Sequence, residues 1–309
     1  MFQKTIKKEV KIKGVGLHTG KNITLTLKPA DIDCGITFVR TDVKGGAVIK
    51  ISPATVVDTR LATTIGYNGL KIAVVEHLLA AIKGLGIDNI IVEIDAEEVP
   101  NFDGSAHFIT SSLKEAGIKV QNAEKMCIVI DEPVIVTDGE KVASFFPSNL
   151  FKISFSISFP HPMIKDQKMT YFPDDMQFDT EISPARTFGF LKDIEYFRAA
   201  GLIKGGSLDN AIIMTDDGIL NEDGLRFPDE FVRHKILDVI GDIAVIGLPV
   251  KGHYVGNKSG HSLNYKLVRK IFSETYKWHI ASFSEVNVPQ RGGNIHLSSV
   301  RNQQIAVSN

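Results

Sequence analysis

The stretch Phe231-Val-Arg-His-Lys-Ile-Leu-Asp-Val-Ile-Gly-Asp-Ile-Ala-Val-Ile246 carries the helical pattern around which the rest of the chain is organised. Its apolar residues recur at the i, i+4, i+7, i+8 and i+11 spacing that is typical of one buried helical stripe. They are Val232, Ile236, Val239, Ile240 and Ile243. His234, Asp238 and Asp242 follow one another every four residues, so they form a row roughly opposite that stripe. The pattern predicts an amphipathic helix.

The polar row of this helix has two interpretations. A histidine and an aspartate four residues apart project from successive turns and can hold one cation from two points. An amphipathic helix also has a polar face that water solvates, and a His/Asp pair is common there. The helix alone therefore leaves a metal site and a solvated surface open.

Length and composition favour an ordinary globular protein. At 309 residues, two domains of about 150 residues each are expected, with one large domain as the alternative. The 35 Lys and Arg residues nearly balance the 36 Asp and Glu residues, so no global field recruits nucleic acid or an anionic membrane. We therefore expect no nucleic-acid partner. We also expect a monomer, although the charge balance does not bear on that expectation.

Cysteine usage and hydropathy indicate the compartment. Cys34 and Cys127 do not form a CxxC pair, so neither a disulfide framework nor a thiolate zinc knuckle is expected, and a metal would rest on His and carboxylate ligands. The N-terminus lacks an apolar core of signal-peptide length, and no apolar run reaches the roughly 18 residues of a membrane span. We expect a cytoplasmic protein without stable membrane insertion.

Two sets of short strand patterns, each followed by helical patterns, divide the chain. The first set begins at residue 3 and the second near Lys125. Strands followed by helices favour an α+β fold over a doubly wound sheet. We predict an N-terminal α+β domain over residues 1–124, a C-terminal α+β domain over residues 125–296 and a tail over residues 297–309.

A second helix is predicted over residues 71–83 and ends at Gly84. Its adjacent Glu76 and His77 point about 100° apart, so one can bind a metal while the other faces what the metal binds, although a helix surface also fits the pair. With His234, Asp238 and His261, they supply the three ligands and the catalytic groups that a zinc hydrolase needs. These spacings match no known zinc signature, so spacing alone leaves the function open.

A glycine-rich loop surrounds His18, between two strand patterns. A loop residue is the simpler interpretation of His18, and a ligand is the alternative. A phosphate-binding loop is disfavoured because no helical pattern follows the glycines.

Six blocks resemble the UDP-3-O-acyl-N-acetylglucosamine deacetylase family, in family order over nearly the whole chain. They are Gly16-Leu-His-Thr-Gly20, Val75-Glu-His-Leu-Leu-Ala80, Asp103-Gly-Ser-Ala106, Ala185-Arg-Thr-Phe-Gly189, Arg233-His-Lys-Ile-Leu-Asp-Val-Ile-Gly-Asp242 and Gly260-His-Ser-Leu-Asn264. The resemblance implies a cytoplasmic zinc hydrolase that removes acetate from UDP-3-O-(3-hydroxyacyl)-N-acetylglucosamine. That reaction is the committed step of lipid A synthesis in Gram-negative bacteria.

The resemblance also implies the architecture. Two similar layered α+β domains are expected to face each other, each with a small inserted subdomain. The insert of the second domain would span about residues 190–215 and wall an apolar passage for the acyl chain.

The same resemblance implies a role for each site residue. The zinc ligands would be His77, His234 and Asp238, with one Zn2+ per chain and Fe2+ as the alternative metal. Glu76 would be the general base, and His261, kept protonated by Asp242, would protonate the leaving amine. The remaining expected residues contact substrate: Thr187 at the oxyanion, Lys235 near the reacting centre, Phe188 at the sugar, Lys141 at the diphosphate, and His18 close to the active site.

Two alternatives are weighed against this reading. A non-catalytic nucleotide-sugar or acyl-chain binding protein would need neither Glu76 nor His261. A zinc hydrolase of another acetylated amine would not need the apolar segment of residues 190–215. Both features are present in the chain, so both alternatives are disfavoured.

Overall fold

The computed structural model describes residues 1–173 and 176–284. These residues form six α-helices and 19 strands, which confirms the predicted α+β class. The helices are α1 (Glu76–Gly84), α2 (His107–Ala116), α3 (Phe178–Glu181), α4 (Leu191–Ala199), α5 (Glu230–Ile243) and α6 (His261–Ser273). Short 3-10 helices occupy Pro53–Thr55, Ala244–Ile246 and Thr275–Lys277.

The strands before residue 125 pair with one another. They are β1 (Phe2–Ile6), β2 (Val10–Val15), β3 (Asn22–Pro29), β4 (Ile36–Arg40), β5 (Ala47–Lys50), β6 (Val56–Asp58), β7 (Thr64–Tyr67), β8 (Leu70–Ile72), β9 (Ile90–Ile94) and β10 (Ile118–Glu124). The main sheet has the order β2-β3-β9-β4-β5, with β6-β7-β8 and β1-β10 as smaller sheets. The period-two pattern of β3 puts Ile23, Leu25 and Leu27 in the core.

The strands after residue 125 form a second main sheet. They are β11 (Met126–Ile130), β12 (Val134–Asp138), β13 (Lys141–Phe146), β14 (Phe151–Phe159), β15 (Lys165–Tyr171), β16 (Phe188–Phe190), β17 (Ile212–Met214), β18 (Val250–Asn257) and β19 (Trp278–Ser282). Seven of them form the sheet β12-β13-β18-β11-β19 with β14 and β15 attached beside β18, while β16 and β17 pair separately. The buried Tyr254 of β18 lies opposite Phe145 on one side and Ile153 on the other.

Helices cover these sheets as layers. Helix α5 packs against β14 and β15, and α6 packs against β12 and β13. Helix α1 packs directly against α5, so the first helix of the chain's first half lies on the organising helix of its second half. At their crossing, an added Cβ on Gly241 would lie 2.0 Å from the carbonyl oxygen of Glu76. Only glycine allows this close backbone approach.

The predicted helix at residues 231–246 is confirmed, but its polar row is not a solvated face. Twelve of the 14 residues of α5 are buried, and His234, Asp238 and Asp242 are among them. The row faces α1 and α6 rather than water. Burial on both sides removes the solvated-surface interpretation of these three residues.

The predicted helix at residues 71–83 is wrong at its start. Residues 70–72 form strand β8, and the helix begins only at Glu76. Val74 has a φ of 58°, in the left-handed region that a right-handed helix cannot contain. Glu76 and His77 therefore occupy the first turn of α1.

The C-terminal end predicted for the second domain, at residue 296, and the tail over residues 297–309 lie outside the described residues.

Candidate metal centre and active site

His77 from α1 and His234 and Asp238 from α5 form a cluster that could hold a metal ion. One ligand atom from each residue lies within 4.8 Å of the others. Asp238 Oδ1 is 3.3 Å from His234 Nε2 and 3.6 Å from His77 Nε2, and the two imidazole rings meet edge to face. All three residues are buried. Two imidazoles and one carboxylate with an open side match the donor set of a catalytic metal site.

The surroundings of His234 prepare its Nε2 atom for a metal. Its Nδ1–H donates a hydrogen bond of 3.0 Å to the carbonyl oxygen of Ala185, which leaves the Nε2 lone pair facing Asp238 and His77. Burial lowers the pKa of His234 to about 3, with the Asp238 carboxylate opposing. His234 is therefore a neutral imidazole at pH 7, the form that binds metals.

Asp238 stays ionised because of its neighbours. Burial opposes its ionisation, but His234 and Lys235 together hold the pKa of this carboxyl well below its ordinary value. Since His234 is neutral at pH 7, the cation that matters is Lys235, whose Nζ lies 2.8 Å from Asp238 Oδ2. Asp238 thus offers its other oxygen, Oδ1, to the two histidines.

Glu76 and His261 face the same space beside this cluster. His261 Nε2 lies 3.9 Å from Glu76 Oε1, and His261 Nδ1 lies 3.0 Å from both carboxylate oxygens of Asp242. Burial raises the pKa of Glu76, with His261 opposing. Burial works against the charge of His261, but Asp242 outweighs it and raises the pKa of His261 to about 10. The pair therefore places a carboxyl group of raised pKa beside an imidazolium.

Two further side chains orient this pair, and the site residues named from the sequence did not include them. Thr63 donates its backbone N–H to Glu76 Oε2 at 3.0 Å and its hydroxyl to Asp242 Oδ1 at 2.6 Å. Asn264 donates to Asp242 Oδ2 at 2.7 Å and accepts from the buried Tyr254 hydroxyl at 2.6 Å. The unusual polarity of residues 58–64 was the available signal for Thr63. Asn264 lies in the last of the six sequence blocks.

A buried ion pair holds the segment that carries Thr187 and Phe188, the first residue of β16. Arg186 Nε lies 2.9 Å from Glu230 Oε1, and both residues are buried. Thr187 itself donates its backbone N–H to the carbonyl oxygen of Gly104, which belongs to the turn preceding α2. The segment is thus fixed to α5 on one side and to the first half of the chain on the other.

A cavity of about 570 Å3 opens beside the cluster. Lys235 connects the cavity with the cluster, because it lines the cavity and its Nζ contacts Asp238. The remaining polar lining includes His18 and Thr187, while Phe188 packs against Phe231 and beneath the Lys235 ammonium. Most other lining residues are apolar and come from the segment predicted as an insert. They include Phe190, Leu191, Ile194, Phe197, Ile203, Leu208, Ala211 and Ile213.

His18 reaches this cavity from the glycine-rich loop. The buried Glu98 accepts the backbone N–H of His18 at 3.0 Å and both the N–H and the hydroxyl of Thr19. Burial lowers the pKa of His18, with Glu98 opposing. Its Nδ1 is buried without a hydrogen-bond partner among the described residues. A neutral His18 is thus held with one nitrogen available to a ligand.

Lys141 lies apart from this group. It begins β13 at an exposed hairpin turn and is absent from the part of the cavity lining that the structure describes. The neighbouring Glu140 accepts hydrogen bonds from Asn257, the last residue of β18, and from Lys258, in the loop just before His261. The structure therefore puts Lys141 near the start of α6 rather than in the cavity.

Comparison with known proteins identifies the family. The profile of the LpxC family, UDP-3-O-acyl N-acetylglycosamine deacetylase, matches residues 3–273. The chain belongs to this deacetylase family. It is 51% identical over 272 residues to the UDP-3-O-acyl-N-acetylglucosamine deacetylase of Myxococcus xanthus (strain DK1622), covering 88% of this chain and 87% of that protein. It is 48% identical over 295 residues to the enzyme of that name from Haemophilus influenzae (strain PittEE), covering 93% and 96%.

The deacetylase family membership agrees with the resemblance that the six blocks carried. Within residues 1–173 and 176–284, no helix has the length and apolarity that crossing a membrane requires.

Proposed function

We propose that the protein hydrolyses the acetamide of UDP-3-O-(3-hydroxyacyl)-N-acetylglucosamine, releasing acetate and the free amine as the committed step of lipid A biosynthesis. Its family and the names of its relatives support this substrate. The observation that carries the chemistry is the meeting of a His77/His234/Asp238 cluster with a Glu76/His261 pair beside an apolar cavity. A binding protein would need the cavity alone.

The three clustered residues are proposed to hold Zn2+, with Fe2+ as the alternative in the cell. The neutral His234, the ionised Asp238 and the approach of their atoms to His77 support this ligand set. Bound there, the metal would lower the pKa of a water molecule toward about 7 and polarise the acetamide carbonyl. One ion per chain fits the cluster.

Glu76 is proposed as the general base. Its Oε2 is occupied by the Thr63 N–H, so Oε1 faces the open space toward His261 and takes the proton of the attacking water. Because burial raises its pKa, Glu76 holds that proton better than an exposed carboxylate would. The water oxygen forms a C–O bond to the acetyl carbon, and the π electrons of the carbonyl move onto its oxygen, which becomes an oxyanion.

His261 is proposed to protonate the amine as the C–N bond breaks. Its Nε2 points to the same space as Glu76 Oε1, while its Nδ1–H is held by Asp242. The Asp242 carboxylate accepts hydrogen bonds from Thr63 and Asn264, and its contact with Nδ1 favours the imidazolium form of His261. The nitrogen leaves as a free amine and the acetyl group as acetate.

Substrate contacts are proposed for the residues that surround the cluster. Thr187 and Lys235 would donate to oxygen as negative charge develops there, in the manner of a preorganised oxyanion site. Phe188 would pack on the sugar and His18 would lie at the cavity wall. Lys141, from its exposed turn near α6, would meet the diphosphate as a flexible point charge.

The apolar cavity supports an acyl-chain role for the predicted insert. Its lining residues between 190 and 213 lie on α4, on β17 and in the loop that joins them. A hydrolase of a short acetylated amine would gain nothing from this surface. We further propose the division into domains over residues 1–124 and 125–296, a cytoplasmic location in a Gram-negative bacterium and a monomeric state.

The test is acetate release from UDP-3-O-acyl-N-acetylglucosamine by purified protein of measured metal content, with and without a chelator. Chelator-sensitive release that returns with added Zn2+ is expected. UDP-N-acetylglucosamine without the acyl chain is the matched control substrate and should be turned over far more slowly. Folded, metal-loaded protein that releases no acetate would contradict the proposal and favour a binding protein.

A further inference from the structure

A second cavity of about 390 Å3 lies at the C-terminal ends of α1 and α5, and it shares no described lining residue with the cavity of the candidate active site. Its wall includes Lys83 from the last turn of α1 and Ile240 and Ile243 from α5. The volume falls within the roughly 300–1,000 Å3 that is typical of small-molecule sites. Nothing in the proposed deacetylation uses this cavity.

The polar part of this second cavity is strongly cationic. Four lysines and one carboxylate line it: Lys4, Lys83, Lys125, Lys251 and Asp88. Asp88 is already engaged, because its Oδ2 lies 2.8 Å from the buried Lys125 Nζ and accepts the backbone N–H of Lys4. Within the described residues no ion pair joins Lys83 or Lys251 to a carboxylate.

Lys83 and Lys251 keep donors for a further partner. Lys83 Nζ donates to the carbonyl oxygen of Gly247 at 3.0 Å. Lys251 Nζ donates to the carbonyl oxygen of Phe283 at 2.7 Å and lies 4.4 Å from the centroid of the Phe283 ring. Each ammonium carries three donors, so a neutral carbonyl neither uses them all nor balances the charge. Burial lowers the pKa of Lys83 to about 8, with Asp88 opposing and the Lys125 cation adding to the decrease. An anion would relieve this repulsion.

Most of the remaining cavity wall is apolar, although Asn149 and Tyr171 also line it. It contains Leu85, Ile87, Leu150, Phe151, Ile240, Ile243, Ala244, Leu248 and Val250. A small inorganic anion would satisfy the lysines but leave this surface in contact with water, whereas an uncharged hydrocarbon would leave the lysines unpaired. A ligand that matches both parts has an anionic head and a short apolar body.

We propose that this cavity is a binding site for a small amphipathic anion, with a carboxylate or phosphate head held by Lys83 and Lys251 and an alkyl body against the ends of α1 and α5. The head replaces the missing carboxylate partners, and charge-assisted hydrogen bonds of this kind are roughly twice as strong as neutral ones. The site shares no described lining residue with the cavity of the candidate active site, so its ligand and the substrate occupy different spaces.

The test is isothermal titration of the metal-loaded full chain with octanoate, octyl phosphate and, as the uncharged control, octanol. At least one anion is expected to bind about tenfold or more tightly than octanol. Tighter octanoate would indicate a carboxylate as the natural head, and tighter octyl phosphate a phosphate. Equal binding of all three probes, or no binding, would overturn the proposal.

Variants locate the bound anion. Lys83→Met keeps the length of the side chain and removes its charge. Leu248→Trp fills part of the cavity while all four lysines remain in the chain. Both variants should weaken anion binding about tenfold or more. Arg198→Met is the matched control, because it removes a cation from the lining of the other cavity. Loss of binding in Arg198→Met but not in the first two would assign the anion to the acyl-chain cavity and refute the proposed site. Melting curves by circular dichroism verify that each variant is folded.

Discussion

Asp242 on α5 holds His261 on α6 by both carboxylate oxygens, each 3.0 Å from His261 Nδ1. This contact joins two helices and raises the pKa of His261 to about 10 against the opposing effect of burial. The imidazole is therefore protonated at neutral pH, whereas a histidine with the ordinary pKa of 6.5 would be mostly neutral there. A divalent cation held by the neighbouring cluster would add positive charge and lower the pKa of His261. The role of Asp242 is therefore tested by comparing the wild type with a variant rather than by the pKa of the wild type alone.

Replacing Asp242 by asparagine should shift the alkaline limit of activity. The raised pKa means that protonated His261 is retained through neutral pH and lost as the pH rises towards about 10. Asp242→Asn removes the carboxylate that favours the imidazolium, so kcat/KM should begin to fall at lower pH than in the wild type. The measurement is the pH profile of kcat/KM for both proteins.

Asp131→Asn is the matched control for this pH prediction. Asp131 also pairs with a histidine, His279 Nδ1 at 2.7 Å, but that pair is exposed. Its pH profile should match the wild type. An unchanged profile in Asp242→Asn as well would remove His261 from the role of acid.

Glu76→Gln should lower kcat by about 10²–10⁴, the usual contribution of a general base. Glutamine keeps an oxygen for the Thr63 N–H at nearly the same size, but it cannot accept the proton of water. Metal content should be retained, since the clustered ligands are untouched. Glu115→Gln, on the exposed face of α2, should leave kcat unchanged. Full turnover by Glu76→Gln would show that another group takes the proton.

His77→Ala and Asp238→Ala should each reduce bound metal. Each removes one member of the three-residue cluster, and the loss of affinity should exceed the roughly 10–100-fold that removal of an outer hydrogen-bond partner costs. Metal per chain is measured by plasma mass spectrometry after dialysis against a zinc buffer. His107→Ala, at the exposed start of α2, is the control and should keep its metal. Wild-type occupancy in both cluster variants would exclude this ligand set.

Local patterns in the sequence predicted much of the fold. The period-two pattern of Ile23, Leu25 and Leu27 gave a buried strand, and the period of α5 gave its helix to within three residues at the C-terminal end. The start of α1 was placed too early, because the positive φ of Val74 results from the packing of the segment between β8 and α1 rather than from local propensity. Short-range periodicity carries no signal for such a residue.

The candidate site was less accessible from the sequence for a similar reason. His234 and Asp238 are four residues apart, so spacing suggested them together, whereas Thr63 and Asp242 are separated by 179 positions and meet only in the fold. The burial of the polar row on α5 also depends on α1 and α6 covering it. Spacing alone therefore left a metal site and a solvated face open, and the tertiary packing separates them.

Glu230→Gln should destabilise the segment that carries Thr187 and Phe188. The change leaves the buried Arg186 with the mostly exposed Asp223 as its remaining carboxylate. Breaking a buried pair costs about 3–5 kcal/mol, and the remaining Asp223 contact favours the lower end. The free energy of unfolding is measured in urea. Arg60→Gln breaks a pair in which the arginine side chain is 87% exposed, and it should change the free energy of unfolding by less than about 1 kcal/mol. Similar losses in both variants would contradict the expected cost of burial.

Gly241→Ala should separate α1 from α5 and disturb the site that they share. A Cβ at this position would lie 2.0 Å from the carbonyl oxygen of Glu76 and 2.7 Å from its carbonyl carbon, and backbone atoms cannot rotate away as a flexible side chain can. Alanine favours a helix by about 1 kcal/mol over glycine, but overpacking typically costs about 1–3 kcal/mol, so net destabilisation is expected in urea unfolding. Because Glu76 and His77 begin α1 while His234 and Asp238 belong to α5, kcat and metal affinity should fall together with stability.

Gly218→Ala is the matched control. Its added Cβ would meet only the Thr215 hydroxyl, at 3.5 Å, and it should leave stability, kcat and metal affinity unchanged. A Gly241→Ala protein with wild-type stability and metal affinity would contradict this prediction. It would mean that α1 and α5 can move apart without harm to the fold or the site.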